Sequence, residues 1–200
     1  MIILDKPQKY FIYQGKKIKL KLWFKNVLKC YALLKDDIFN DVERITIMYD
    51  LLCKSRHKFE IKQKFEIVET VFKEFINSNE KTVKENQRPT FDIVYDQTYL
   101  YSSFMHQYNI DLQNKKLWWS NFLALFDGLD KNTKIMKVIE IRSKPLPKRN
   151  KHNGEYIMHL QKQKMHYALE KYYSDEEREK HANDSKLKFF KMLESIAKSN

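Results

Sequence analysis

The feature that most constrains this chain is a change of period at Trp23. Lys17-Ile18-Lys19-Leu20-Lys21-Leu22 alternates strictly between basic and apolar residues, the period-two pattern of a strand with one wet face. Upstream, residues 10–13 are apolar and Gln14-Gly15 offers a turn, so a β-hairpin is expected at about 10–22. From Trp23 onward, Phe24, Val27, Leu28 and Tyr31 fall at i, i+3, i+4 and i+7, the stripe of an amphipathic helix. A lone hairpin is marginal in water, so it must pack on helices or extend another sheet. Only 3 glycines and 4 prolines occur in 200 residues, too few for the many tight turns of an all-β sandwich.

The helical period then dominates. Asn40 and Glu43 have the spacing of a capping box, with Val42, Ile45, Tyr49 and Leu52 as the stripe behind it. A third helix is expected from about Ile61 to Ile76, with Phe65, Val68, Phe72 and Phe75 on one side. Residues 78–89 are polar and aperiodic, and Pro89 disfavours helix at Arg88, so a linker is placed at 78–90. Beyond it, helices are expected near 93–108, 114–127 and 131–142. The first carries Leu100, Phe104 and Tyr108 and breaks at Asn109-Ile110-Asp111-Leu112. The second carries Trp119, Phe122, Leu123 and Phe126. It ends at Asp127-Gly128, where glycine can take the left-handed conformation that closes a helix. Asp130 is the expected N-cap of the third, which carries Ile135, Val138 and Ile139.

Lys144 to Asn153 is a basic connector with prolines. A thinly apolar helical pattern follows from about Gly154 to Tyr173, then a fresh helix start at Ser174 and a last stripe of Leu187, Phe190, Leu193 and Ala197. The expected fold is mainly α: a helical bundle of about seven helices with a short N-terminal β-hairpin. Four regions are expected: 1–77 with hairpin and helices, a linker at 78–90, an aromatic-rich helical core at 91–142, and a basic helical extension at 143–200.

Catalytic chemistry finds no foothold. Gly15, Gly128 and Gly154 cannot be written into a dinucleotide fingerprint or a phosphate loop. Neither Cys-x-x-Cys nor His-x-x-x-His occurs. His152, His159 and His166 repeat one helix face, but neighbours stand roughly 10.5 Å apart at 1.5 Å per residue, too far for one metal ion. Cys30 and Cys53 lie inside helical patterns and read as buried thiols of a reducing compartment. Asp92, Asp96, Asp111, Asp127 and Asp130 have the settings of helix caps and turns, because Asp bonds local backbone N–H groups. No catalytic residue, cofactor or metal is expected. The opening Met-Ile-Ile-Leu is too short for a signal peptide, and no stretch approaches about 18 apolar residues, so no membrane association is expected.

Trp118-Trp119 lies beside Lys115 and Lys116, which invites a base-stacking reading. Trp119 shares its stripe with Phe122 and Phe126, so core is the simpler role for it. Trp118 points about 100° away and is open to core or to a partner. Trp118, Tyr101 and Tyr108 are taken as partner-binding candidates; Trp119, Phe122, Phe126 and Phe104 are taken as core. The net charge of +12 fits a nucleic acid or an acidic protein, but lysines interleaved with Glu and Asp along the whole chain also describe a solvated surface.

The aromatic block also carries a family resemblance. It contains Phe91-Asp92, Tyr99-Leu100-Tyr101-x-x-Phe104 and Gln107-Tyr108-Asn109-Ile110-Asp111-Leu112. It continues with Leu117-Trp118-Trp119-x-x-Phe122-x-x-Leu125, Gly128-Leu129 and Ile139-x-x-Arg142. This pattern resembles the bacteriophage gene-product-fifteen family over roughly residues 8–170, including the hairpin leading into Trp23-Phe24. Leu160, Lys164 and Tyr167-Ala168-Leu169 are similar to that family's lysine-rich tail. The resemblance implies a gene among the tail genes of long-tailed phages and prophages, just before the tape-measure gene. It thereby implies a non-enzymatic tail assembly chaperone that binds the tape-measure protein in the host cytoplasm during assembly. Other tail proteins are further expected partners, self-association is compatible with this role, and specific nucleic-acid binding is not expected. The alternatives are a nucleic-acid-binding phage protein and a structural tail component retained in the virion.

Overall fold

The computed structural model describes residues 7–36, 38–77 and 90–169. In chain order these form β1 (Tyr10–Tyr13), β2 (Lys16–Leu20), α1 (Phe24–Leu33), α2 (Asp41–Leu52), β3 (Cys53–Lys54) and α3 (Ile61–Val71). A π turn (Phe72–Ile76) continues α3, and α4 (Gln97–Tyr108), α5 (Trp119–Asp127), α6 (Lys134–Ser143) and α7 (Gly154–His166) follow. The fold is mainly α, with seven α-helices among the described residues and the expected hairpin at the N-terminal end. The linker expected at 78–90, apart from Thr90, and the helix expected after Ser174 lie outside the described residues.

The chain forms two compact units, and each is discontinuous in sequence. The described part of the first comprises 7–77 and 116–127; that of the second comprises 90–115 and 128–169. The expected aromatic core 91–142 is therefore divided, because α5 packs with the N-terminal elements. Phe24 and Tyr31, which meet the rings of α5 as described below, are residues of the first unit.

In the first unit, β1 and β2 pair antiparallel with Phe11 opposite Ile18. Gln14 (φ 47°) and Gly15 (φ 73°) both take the left-handed conformation, which matches the turn to the strand twist. Alternation puts Phe11, Ile18 and Leu20 inside and leaves Tyr10, Ile12, Lys17 and Lys19 outside. The hairpin does not stand alone: β3 extends it, pairing Cys53 with Leu20. Asn40 caps α2 as expected, its side chain accepting from the Glu43 N–H at 2.9 Å while Glu43 accepts the Asn40 N–H at 3.1 Å.

Helix α1 begins without a side-chain cap bond, and α1 and α5 each receive a backbone acceptor from the segment that precedes the other. The Phe24 N–H, first in α1, donates to the Leu117 carbonyl at 2.8 Å. The Trp119 N–H, first in α5, donates to the Leu22 carbonyl at 2.7 Å. Trp23 and Trp118 form the bridge between these bonds. Free N–H groups at helix starts need acceptors, and here the preceding backbone of a distant segment supplies them.

In the second unit, α4 ends at Asn109, which takes the left-handed conformation at φ 52°. Gly128 does not take it. Instead the Gly128 carbonyl accepts the Gln107 amide at 3.0 Å, and the Gln107 carbonyl oxygen accepts the Asp130 N–H at 2.8 Å. A side-chain clamp thus replaces the expected glycine closure. Asp130 is not the N-cap of α6 either. Its carboxylate turns locally to the Asn132 N–H at 2.7 Å, and Thr133 occupies the cap position. The acceptor for the first turn of α6 comes from α4: buried Ser103 accepts the Ile135 N–H at 3.0 Å and donates to the Tyr99 carbonyl at 2.7 Å.

Candidate interaction surfaces

The aromatic residues singled out in the sequence fall into both units. In the first, Trp119 and Phe122 are buried, stacked with ring centroids 5.3 Å apart. Phe24 stacks on Phe122 at 4.2 Å, and Tyr31 is 6.1 Å from Trp119. The Trp119 indole N–H donates to the Ile76 carbonyl at 3.1 Å. That carbonyl lies at the end of the π turn, and it gives the buried indole N–H its acceptor. Phe126 is half-buried, stacked on Phe122 at 6.0 Å.

Trp118 is only 8% exposed. Its ring stands edge-on to Trp23 at 5.0 Å, and Trp23 is the more open of the two. Little of the Trp118 surface is therefore open to a partner. In the second unit Phe104 is fully buried, with Tyr108 edge-on at 5.6 Å; Tyr108 and Tyr101 are half-buried.

Arg142, which ends the Ile139-x-x-Arg142 motif, ties the second unit together. Its guanidinium pairs with Asp96 through two bonds, of 2.6 and 2.8 Å, and both side chains are buried. It also donates to the carbonyls of Thr90 at 3.0 Å and Tyr167 at 2.6 Å. Its own carbonyl accepts the Lys164 ammonium at 2.7 Å. One side chain thus ties the segment before α4, α6 itself and the end of α7. Asp96 occupies the N-cap position of α4 but makes no cap bond into that helix; its carboxylate accepts the local Asp92 N–H at 3.0 Å as well as the two bonds from Arg142. Asp92 and Asp111 do bond local N–H groups, those of Val94 and Gln113, as expected. The pairing of Asp96 with Arg142 spans 46 residues, and no local signal announces it.

Reactive groups are few. Cys30 and Cys53 are buried and unpaired as a disulfide. Burial pushes the Cys30 thiol up to about 12, with nearby Cys53 adding to it. Burial does the same to Cys53, against a smaller opposing pull from Lys21. Both are protonated at neutral pH, and a thiol rather than a thiolate is a poor nucleophile. Among the described residues no three His, Cys, Asp or Glu side chains converge in a way that holds a metal ion. No helix among them is long and apolar enough to cross a membrane.

The exposed apolar side chains are the remaining features that invite contact. The first unit presents Tyr10, Ile12, Trp23, Ile38 and Val42. The second presents Leu146, Tyr156, Met158 and Met165, the two methionines 66% and 76% exposed and seven residues apart on one face of α7. Between α6 and α7 lies a cleft of about 210 Å³, lined by Ile141, Leu160, Tyr156 and Gln163 with Lys137, Glu140 and Lys144 beside them.

Neither a curated protein nor a solved structure matches this chain. A family model described as "Bacteriophage Gp15 protein" matches residues 6–169, a span that covers every described element of both units. This chain belongs to the bacteriophage Gp15 protein family, and with it to the structural and assembly proteins of phages.

Proposed function

We propose that this protein is a tail assembly chaperone that binds the tape-measure protein while the tail is being built. The observation that carries this reading is the family match over 6–169, since the resemblance implies a gene beside that of the tape measure. The chemistry of the surface is in keeping with it. A tape measure is a long helix-rich chain whose apolar stripes need cover before assembly, and helix-in-groove contact is the economical way to cover them. The exposed methionines of α7 and the cleft beside it offer adaptable apolar surface of that kind.

Co-purification from phage-producing cells tests the reading. Tagged protein is expected to bring down the tape-measure product, with binding weakened but not abolished by moderate salt, because apolar anchors dominate and charges steer. Recovery of nucleic acid instead, lost steeply as salt rises, would favour a binder acting through its +12 charge.

A further inference from the structure

The cleft between α6 and α7 combines an apolar interior with a cationic border. Its floor is Leu160, which is buried, and half-buried Ile141; Tyr156, 45% exposed, forms a wall. At about 210 Å³ it falls below the range of roughly 300–1,000 Å³ usual for small-molecule sites, so its size suits one inserted side chain rather than a cofactor. Lys137 and Lys144 stand exposed at its border, and the Lys144 ammonium lies 5.7 Å from the centre of the Tyr156 ring.

The connector between the two helices carries more positive charge. Lys148, Arg149 and Lys151 are all exposed. The connector is held in shape by Asn153, which accepts the Asn150 N–H at 2.7 Å and donates to the Lys148 carbonyl at 2.9 Å. Between positions 137 and 155 the exposed cations Lys137, Lys144, Lys148, Arg149 and Lys151 outnumber the exposed acids Glu140 and Glu155. A polyanion would use the charge and leave the apolar floor uncovered; a plain apolar helix would leave the charge unused.

We propose that the α6–α7 cleft docks an acidic amphipathic helix, which seats one bulky apolar side chain on Leu160 and Ile141 and sets its carboxylates against Lys137, Lys144 and the connector. Only the identification of that helix as a tape-measure segment rests on the chaperone reading. The site itself does not.

Two synthetic helical peptides test it, sharing one leucine and phenylalanine stripe but flanked by glutamates in one and by lysines in the other. The full chain is expected to bind the glutamate peptide and not the lysine peptide at physiological salt. Lys137→Glu with Lys144→Glu is expected to lower affinity for the glutamate peptide about tenfold and to raise it for the lysine peptide. Both lysines are exposed, so the variant is expected to melt as the wild type does. Failure of the glutamate peptide to bind, or binding indifferent to the charge reversal, would overturn the site. The same variant in the co-purification separates the two ideas. Tape-measure recovery unchanged by the reversal sinks this site alone. No tape-measure recovery by the wild type, with the peptide preference intact, sinks the chaperone reading alone.

Discussion

The two units reach stability by different routes. The first is held by aromatic packing: Phe24, Phe122 and Trp119 stack in sequence, Tyr31 and Phe72 close around them, and the three-stranded sheet adds Phe11, Ile18 and Leu20. The second has a smaller apolar set, in which Leu100, Phe104, Ile135, Val138, Leu160 and Leu169 are buried, and it is tied together by the Arg142–Asp96 pair. Apolar packing degrades gradually as atoms are removed, whereas a buried ion pair fails when either partner is lost. The difference is open to optical measurement, because all three tryptophans, Trp23, Trp118 and Trp119, lie in the first unit. Tryptophan fluorescence reports that unit, and far-UV circular dichroism reports both.

Trp119→Ala should have the largest effect, about 5 kcal/mol. That is the upper end for emptying a large aromatic site, because the Ile76 carbonyl also loses its donor. The fluorescence transition in urea should move to much lower denaturant; a small shift would mean that the stack is not the centre of the unit. Next is Arg142→Met, expected to cost about 3–4 kcal/mol by leaving the Asp96 carboxylate buried and unpaired. Here the circular dichroism transition should move while the fluorescence transition stays. Equal movement of both signals would erase the distinction between the units.

These two residues also show what the sequence can and cannot carry. Trp119 was legible because its partner Phe122, and Phe126 beyond it, lie on the same helical stripe. The hairpin and the Asn40–Glu43 box were legible for the same reason: every residue they need lies within a few positions. Arg142–Asp96, the Leu20–Cys53 pairing of β2 with β3, and the Trp23–Trp118 bridge join residues 46, 33 and 95 positions apart. Periodicity has no reach over such separations. The misplacement of the caps at Gly128 and Asp130 has a related cause. Gln107 and Ser103, both on α4, supply the bonds that local residues were expected to make. Of the candidate partner residues, Trp118 was read by angle alone, which could not anticipate that Trp23 would lie against it.

Smaller effects sharpen the comparison. Ser103→Ala removes a buried acceptor from the Ile135 N–H and is expected to cost about 2 kcal/mol, again in the dichroism signal alone. Asn40→Ala, at an exposed cap in the first unit, should cost about 1 kcal/mol. A reversed order would mean that the cap donated between helices is no stronger than an ordinary one.

Alkaline pH should act on the first unit, which holds both cysteines. Cys30 and Cys53 are raised from 9.0 to about 12 by burial, and Tyr13 from 10.0 to about 12 by burial and by its bond to Glu66. A raised acid pKa means that the folded state holds its proton more tightly than the unfolded chain. The contribution is fully present below pH 9 and is lost as pH climbs from 9 towards 12. The fluorescence transition should therefore weaken over that window, and Cys30→Ala should lessen the weakening. A fluorescence transition flat across that window would contradict the assignment of both thiols to the core.

The central claim is that the protein works during tail building and then leaves. Quantitative proteomics of phage-producing lysates and of purified particles from the same culture addresses it most directly. The account predicts abundant protein in the lysate and none in the particles. Its presence in particles at stoichiometric copy number would contradict the chaperone reading and make it a structural component of the tail.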